Sequence, residues 1–195
     1  MWGKNSANVT DTNAYSVHGT NPQNLVEKIL RSKIYNHAYW KEHCFGLTAE
    51  SLVDKAMELE AVGGTFGGIR EPTTFIQLIL KMLQIQVRAA RGAPRFARRE
   101  GGADMRARAA QPEKEIIVEF IKNEDYKYVR ALGAYYLRLT GKPVEVYQYL
   151  EPLYNDYRKL RRRLASGEYA ITHMDEFIEE LFYEDMVCDL SLIHI

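Results

Sequence analysis

The apolar positions of this chain recur at three- and four-residue spacing along most of its length, the signature of helices with one buried face. After Asn21-Pro22, a capping side chain followed by a residue suited to the first helical turn, Leu25, Val26, Ile29, Leu30 and Ile34 form the first such face. Residues 35–45 are an aromatic-rich connector. Thr48 stands where it can cap a second helix with Leu52, Val53, Ala56, Met57 and Leu59 inward. Beyond Pro72, the run Phe75, Ile76, Leu78, Ile79, Leu80, Met82, Leu83 and Ile85 covers almost the whole circumference. A helix apolar all round is buried, so residues 72–86 are predicted as the central helix. Pro112 opens another helix, with Ile116, Ile117, Phe120 and Ile121 inward.

From Asn123 to Tyr157 the pattern is densest. Asp125 is placed to cap a helix whose Tyr128, Val129, Leu132, Tyr135, Tyr136 and Leu139 share a broad face. Gly141 stands where a left-handed terminating residue is wanted, and Pro143 can begin the next helix. Val146, Tyr147 and Leu150 repeat the pattern, and Pro152 restarts it. Asp175 is placed to cap a last helix. Phe177, Ile178, Leu181 and Phe182 form its inner face, and Glu176, Glu179, Glu180, Glu184 and Asp185 the opposite one.

Two stretches read differently. Gly63-Gly64-Thr65-Phe66-Gly67-Gly68 has no GK[ST] ending and follows no strand, so it reads as a tight helix–helix connection and not a phosphate loop. Ser166-Gly167 separates the basic run at 158–163 from Tyr169-Ala170-Ile171-Thr172-His173, which predicts a small hairpin; a helix reaching about Leu164 is the alternative. The fold class is therefore all-α: a single compact multi-helix domain with a small peripheral β-hairpin near 158–173. Residues 1–17 are polar and aperiodic, a flexible N-terminus.

Composition agrees with a globular chain: 46% of residues are hydrophobic and 27% charged,. Cys44 and Cys188 are too far apart in sequence to outline a disulfide framework and read as reduced thiols. The first residues lack the apolar run of a secretory signal. No stretch is apolar enough to span a membrane, since Gln77 and Lys81 interrupt the longest run. Net charge is zero but uneven. Residues 87–111 contain Arg88, Arg91, Arg95, Arg98, Arg99, Arg106 and Arg108, with Glu100 and Asp104 as their only acids. The remainder is mildly acidic, which argues against broad binding to nucleic-acid backbones.

Candidate chemistry is sparse. His37, His43 and Cys44 lie close together but lack the further ligand that a zinc site needs. Glu124-Asp125 and Glu179-Glu180 are adjacent, so their carboxylates diverge on a helix. No nucleophile has a convincing base beside it in the sequence. The reading is of no enzyme, no metal and no cofactor. Eight of the thirteen tyrosines lie between Tyr126 and Tyr157. They are either core wall with hydroxyls at the rim or a surface that grips another protein. Tyr147, Tyr149, Tyr154 and Tyr157 point in several directions around their helices. With Glu176, Glu179 and Glu180 they are the candidate partner-binding residues. Arg158, Lys159, Arg161, Arg162 and Arg163 are the candidate RNA contacts, and a solvated strand edge is their plainer reading.

The strings IKNEDYKYVRALGAYYLRLTG and YLEPLYNDYRKLR, with HGTNPQNLVEKILRSKIY, YWKEHCFGLTAE, DKAMELEAVGGTFGG and MDEFIEEL, resemble the pre-mRNA-splicing factor 38 family. The resemblance covers most of residues 18–190, the helical domain. It implies a nuclear, non-catalytic spliceosome component, a protein-interaction scaffold needed for activation of the precatalytic particle that contains the tri-snRNP. The implied partners are a microfibril-associated splicing protein and a matrin-type zinc-finger splicing protein. An RNA-binding module using the Arg-rich segments is the alternative.

Two places depart from the family's pattern. Residues 191–195 end in Ile193-His194-Ile195, where the family continues with Pro-Arg and a charged tail. At 87–111 the family connects LQIQ directly to PEK. The extra segment reads as an RNA-binding arm, as a solvated loop, or as a translated intron. The third reading is favoured by its ends: every Val codon begins with GT, and one Gln codon ends in AG. On that reading it is an inserted flexible loop.

Overall fold

The computed structural model describes residues 16–92 and 111–193. The order is a 3-10 turn (Pro22–Leu25), α1 (Lys28–Asn36), a wide π-type turn (Trp40–Cys44), α2 (Ala49–Met57), β1 (Thr65–Phe66), β2 (Glu71–Pro72), α3 (Thr74–Gly92), α4 (Gln111–Lys122), α5 (Lys127–Thr140), α6 (Pro143–Leu150), a second 3-10 turn (Glu151–Asn155), β3 (Lys159–Arg163), β4 (Tyr169–His173), α7 (Met174–Tyr183), β5 (Met186–Val187) and β6 (Leu190–Ser191). The domain is mostly helical, as the periodicity predicts. The strands form three separate two-stranded antiparallel pairs.

The core is built on α3 and α5. Phe75, Ile76, Leu78, Ile79, Leu80 and Leu83 of α3 are fully buried. The helix packs against both early turns, α2 and α5. Its polar interruptions are buried as well. Gln77 Nε2 donates to the Pro72 carbonyl at 3.1 Å, and Lys81 to the Phe45 carbonyl at 3.1 Å, which gives these buried donors partners, while Gln77 Oε1 is buried without a hydrogen bond among the described residues. Helix α5 is enclosed nearly all round, from Val129 to Leu139. Its Tyr135 meets Phe75 edge-on at 5.7 Å, stacks on Phe177 of α7 at 6.4 Å, and donates its hydroxyl to the Val187 carbonyl at 2.6 Å. One side chain thus joins α3, α5, α7 and the last hairpin.

Several helix ends differ from expectation. Asn21 and Thr48 cap as predicted. Helix α3 starts at Thr74, not Pro72. Thr73 Oγ1 accepts the Ile76 N–H at 3.4 Å and donates to the Gly63 carbonyl at 2.6 Å. The helix runs to Gly92 and so takes in the first residues of the Arg-rich segment; the inserted-loop reading of 93–110, like that of the N-terminus at 1–15, lies outside the described residues. Tyr126, not Asp125, precedes α5, and Asn123 Oδ1 accepts its N–H at 2.8 Å. Gly141 is extended (φ −79°), not left-handed. His173 caps α7 with Glu176 in a reciprocal box, displacing Asp175 into the first turn. Ile29, read as inward, faces solvent, while Leu30 and Ile34 of the same helix are buried.

The predicted hairpin forms, with Leu160 opposite Thr172 as its inward pair. Its β3 edge is not open. Val62 bridges to it, accepting from Arg163 N at 2.8 Å and donating to the Arg161 carbonyl at 2.9 Å. The glycine stretch is itself a miniature hairpin, not a simple helix–helix turn. A methyl group on Gly64 would meet the Cys188 carbonyl at 2.5 Å, so only glycine lets this hairpin lie against the β5–β6 turn,. There Asp189 accepts the Thr65 N–H at 2.6 Å and hydroxyl at 2.7 Å.

Asp156 anchors the segment before β3. Its side chain is 8% exposed. It accepts Arg130 Nη1 at 2.6 Å, Arg158 Nη2 at 2.7 Å and Arg158 Nε at 2.8 Å. The Arg158 guanidinium also reaches the Glu124 carbonyl, and the Asp156 carbonyl accepts from Asp175 N at 3.1 Å. Burial alone would raise the Asp156 carboxyl. The hydrogen bonds from Arg158 and Arg130 outweigh it and hold the group at about 2,.

Two predictions follow from this packing. Ile79→Ala or Leu83→Ala should each cost about 2–5 kcal/mol through the cavity left in α3, read as a lowered denaturant midpoint; unchanged midpoints in both would remove α3 from the centre of the core. Asp156→Asn should cost about 1–3 kcal/mol at neutral pH by leaving the largely buried Arg130 guanidinium and the partly exposed Arg158 guanidinium without their carboxylate,. Because the folded pKa lies below the unfolded one, the wild-type contribution is present above roughly pH 4 and is lost as pH falls toward 2. The variant's stability curve should therefore be flatter across that window, and acid melts that superimpose in shape would refute the assignment.

Candidate functional site

The chain's aromatic excess surfaces between α6, the Glu151–Asn155 turn and α7. Pro143 starts α6, and its period sends Val146 and Leu150 inward and Val144 and Tyr147 outward. Helix α7 lies alongside the Glu151–Asn155 turn. Its Phe182 stacks face to face on Tyr147 at 4.9 Å and on Tyr154 at 5.8 Å, a three-ring ladder. Tyr147 is 57% exposed at one end of the ladder, and Tyr154 is half-buried at the other. A cavity of about 130 Å³ opens beside Tyr147 and Phe182, walled by Arg138, Gly141, Pro143 and Val146. Arg138 is fixed there by donating Nε to the Leu181 carbonyl at 2.8 Å.

The ladder sits in an acidic setting. Partial burial, reinforced by Tyr183, Glu179, Tyr147 and Glu151, raises the Tyr154 hydroxyl above its ordinary value. It stays protonated and able to donate. Burial lowers the Arg138 guanidinium, and Tyr147 works against that. The result is apolar ring area with hydroxyl donors, with Glu179 and Glu151 beside Tyr154. That arrangement suits an apolar side chain flanked by Lys or Arg.

The structure brings only part of the predicted set together. Tyr147, Tyr154 and Glu179 share this surface. Tyr149 packs against the core from the other side of α6. Tyr157 is exposed in a separate shallow depression with Asn155, Asp156 and Arg158. Glu176 accepts the Thr172 hydroxyl at 2.8 Å and His173 N at 2.9 Å, which lowers its pKa. Glu180 pairs with Arg162. Sequence reasoning missed Val144 and Tyr183, both exposed, and assigned Phe182 wholly to the core. The apolar pair Val144 and Tyr147, three residues apart and so on one side of the helix, was the available signal,.

The basic strand is largely occupied by the fold. Arg158 holds Asp156, Arg162 holds Glu180, and Arg163 lies over Phe66 at 4.3 Å. Arg161 and Arg163 both lie over the Tyr169 ring, at 4.6 and 4.4 Å, so this ring is already engaged by cations. Lys159 is exposed and gives its carbonyl to Lys127. Metal-ligand candidates diverge. His37 pairs with Glu71 at 3.0 Å, and the buried Cys44 thiol is pushed up to about 12. Among the described residues no cluster of His, Cys, Asp and Glu could hold a metal ion, and no helix is long and apolar enough to cross a membrane.

Comparison with known proteins gives a consistent answer. The model of the PRP38 family matches residues 15–91 and 105–195. A protein named pre-mRNA-splicing factor 38 from Arabidopsis thaliana is 60% identical over 95% of this chain and 45% of its own length. Those named pre-mRNA-splicing factor 38A from Xenopus laevis and Homo sapiens are 56% and 55% identical, each over 95% of this chain and 52% of the relative. The chain thus spans about half the length of the curated relatives it matches. A solved structure, the Snu23-Prp38-MFAP1(217-258) complex of Chaetomium thermophilum, superimposes with a TM-score of 0.70 at 38% identity, covering 89% of this chain and 77% of that one. With sequence and fold in agreement over nearly its whole described length, the chain belongs to the PRP38 family.

Proposed function

We propose that the chain is a non-catalytic spliceosome component that works in the nucleus as a scaffold, holding segments of other splicing proteins when the precatalytic particle is activated. The observation that carries this is the neighbouring fold, solved as an assembly with two other proteins, one of them a short segment of residues 217–258. The names of the relatives support the same process. The inferred partners are this organism's counterparts of MFAP1 and of the zinc-finger protein Snu23.

The Tyr147–Phe182–Tyr154 ladder with Glu179 suits such a segment, as an amphipathic helix or an extended stretch that orders on binding. Tyr147→Ala should weaken capture of one of the two partners by about 1–2 kcal/mol, roughly 5- to 30-fold. Its melting temperature should hold, because the residue is more than half exposed. Tyr157→Ala tests whether the surface extends to the neighbouring depression. A folded Tyr147→Ala chain that binds both partners like wild type would place the docking surface elsewhere.

We infer that the Arg-rich segment is an addition outside this role, a translated intron. The family model passes over residues 92–104, within it. Transcript sequence across codons 86–112 is the test: transcripts lacking codons 87–111 are expected, and a genomic locus without an intron boundary there would make the segment a genuine part of the chain.

A further inference from the structure

We propose that Ser166, at the tip of the β3–β4 hairpin, is a phosphorylation site for a protein kinase that reads arginines on the N-terminal side of its target. Arg161, Arg162 and Arg163 stand five, four and three residues before it. No other Ser or Thr of the chain has three cations within the five residues before it. Kinases that select such targets do so with carboxylates that pair with the guanidinium groups.

The fold displays the hydroxyl. Leu164, Ala165 and Ser166 are exposed and lie outside the strands. Loop tips of this kind are where enzymes that act on a chain reach it. Ser166 Oγ makes only long contacts, accepting the Glu168 N–H at 3.3 Å and donating to Glu168 Oε2 at 3.5 Å. The turn is closed by the backbone instead. Leu164 N donates to the Glu168 carbonyl and Gly167 N to the Leu164 carbonyl, each at 2.9 Å. Gly167, at φ +96°, supplies the left-handed residue,. A phosphoryl group on Oγ therefore leaves the bonds that shape the tip intact. Other hydroxyls are committed elsewhere: Ser51 is tied into the Thr48 cap, Thr172 donates to Glu176, and Thr73 is buried. Ser32 is exposed but lies within α1, which would have to unwind to enter an extended cleft.

Two of the arginines are placed for recognition. Strand alternation puts Arg161 and Arg163 on one face of β3 and Arg162 on the other. Arg162 is held by Glu180. Arg161 and Arg163 close no ion pair among the described residues. Both rest on the Tyr169 ring, and Arg163 also on Phe66. Arg163 Nε has no hydrogen-bond partner among the described residues. A ring contact near the surface is weaker than a charge-assisted hydrogen bond to a carboxylate. Acidic groups of a kinase can thus take both guanidinium groups from the ring without opening the core. Only Glu168 lies close to the serine on its C-terminal side, so a kinase directed by acids finds little there.

ATP, held by the kinase with magnesium, balances the step. Ser166 Oγ bonds to the γ-phosphorus as the bond from that phosphorus to the β,γ-bridging oxygen breaks. ADP leaves with the electron pair, and the hydroxyl proton passes to the kinase's carboxylate base. The product adds a charge of about −1.5 to −2 at neutral pH, which repels Glu168 and offsets part of the basic run.

Transfer of labelled phosphate from magnesium ATP to the full, folded chain tests this. One reaction uses purified protein kinase B, which selects arginines three and five residues before its target. A parallel one uses casein kinase 2, which selects acids. The first should place a single phosphoryl group on Ser166, located by mass spectrometry of proteolytic peptides, and the second none there. Arg161→Glu and Arg163→Ala should each slow the reaction about tenfold. Ser166→Ala should abolish it while the melting temperature holds. Circular dichroism confirms that each variant folds, and the exposed Arg161 keeps the test open if the Arg163 variant does not. A peptide of residues 158–170 is the unfolded reference, and the folded chain should be modified as readily. Label confined to other residues, rates unchanged by the arginine variants, or equal labelling of Ser166 by casein kinase 2 would overturn the proposal. So would a folded chain that stays inert while the peptide is modified, which would show that the hairpin withholds the serine.

Discussion

A helix that is apolar around its whole circumference must be surrounded, and the rest of this domain is arranged to surround α3. Two short turns, α2 and α5 pack against it. Its buried Lys81 donates to the Phe45 carbonyl of an enclosing segment, and Gln77 Nε2 to the Pro72 carbonyl just before the helix. Closure depends on Tyr135. Its ring joins α3, α5 and α7, and its hydroxyl reaches the final hairpin through the Val187 carbonyl. Burial keeps that hydroxyl protonated, with a pKa raised well above the ordinary tyrosine value,. Distant parts of the chain thus share one core.

The small strands finish one end of the domain. Val62 covers part of the β3 edge, Gly67 N donates to the Ala165 carbonyl at 2.9 Å, and Asp189 takes both polar groups of Thr65. These contacts are short-range and directional, so they need small residues at the points of approach. Gly64 against the Cys188 carbonyl is the clearest case. The cations at 158–163 work in the same framework, where Arg158 and Arg162 close ion pairs and Arg161 and Arg163 stack on rings. A basic run that looks available in one dimension is mostly structural in three. That weakens the RNA-binding alternative and favours contact through rings and aliphatic side chains.

A scaffold needs surfaces that stay exposed without destabilising the fold. On this chain large apolar side chains stand exposed at outward positions of helices whose inner positions are firmly buried. Tyr147 projects from α6 beside Val146 and Leu150, and Ile29 from α1 beside Leu30 and Ile34. Each exposed side chain is held by a neighbour: Tyr147 by its stack on Phe182, Ile69 by Lys33 through its backbone. Pre-organisation of this kind lowers the ordering cost that a binding surface must overcome.

Periodicity and capping chemistry are local, and they settled what local physics can settle. The sequence determined the helices, the central place of α3, the Asn21 and Thr48 caps, the hairpin at 159–173 and the family. Where two nearby residues compete for one role, as Asp125 with Asn123 or Asp175 with His173, the winner depended on the path of the preceding chain. Only the tertiary structure showed that the glycine stretch is a hairpin against Cys188, and that Glu176 and Glu180 are tied to His173, Thr172 and Arg162 while Glu179 lies near Tyr154. It alone turned Ile29 outward. A helical pattern names a face wider than the core can cover, and which edge of that face meets solvent is decided by the neighbours packed against the other.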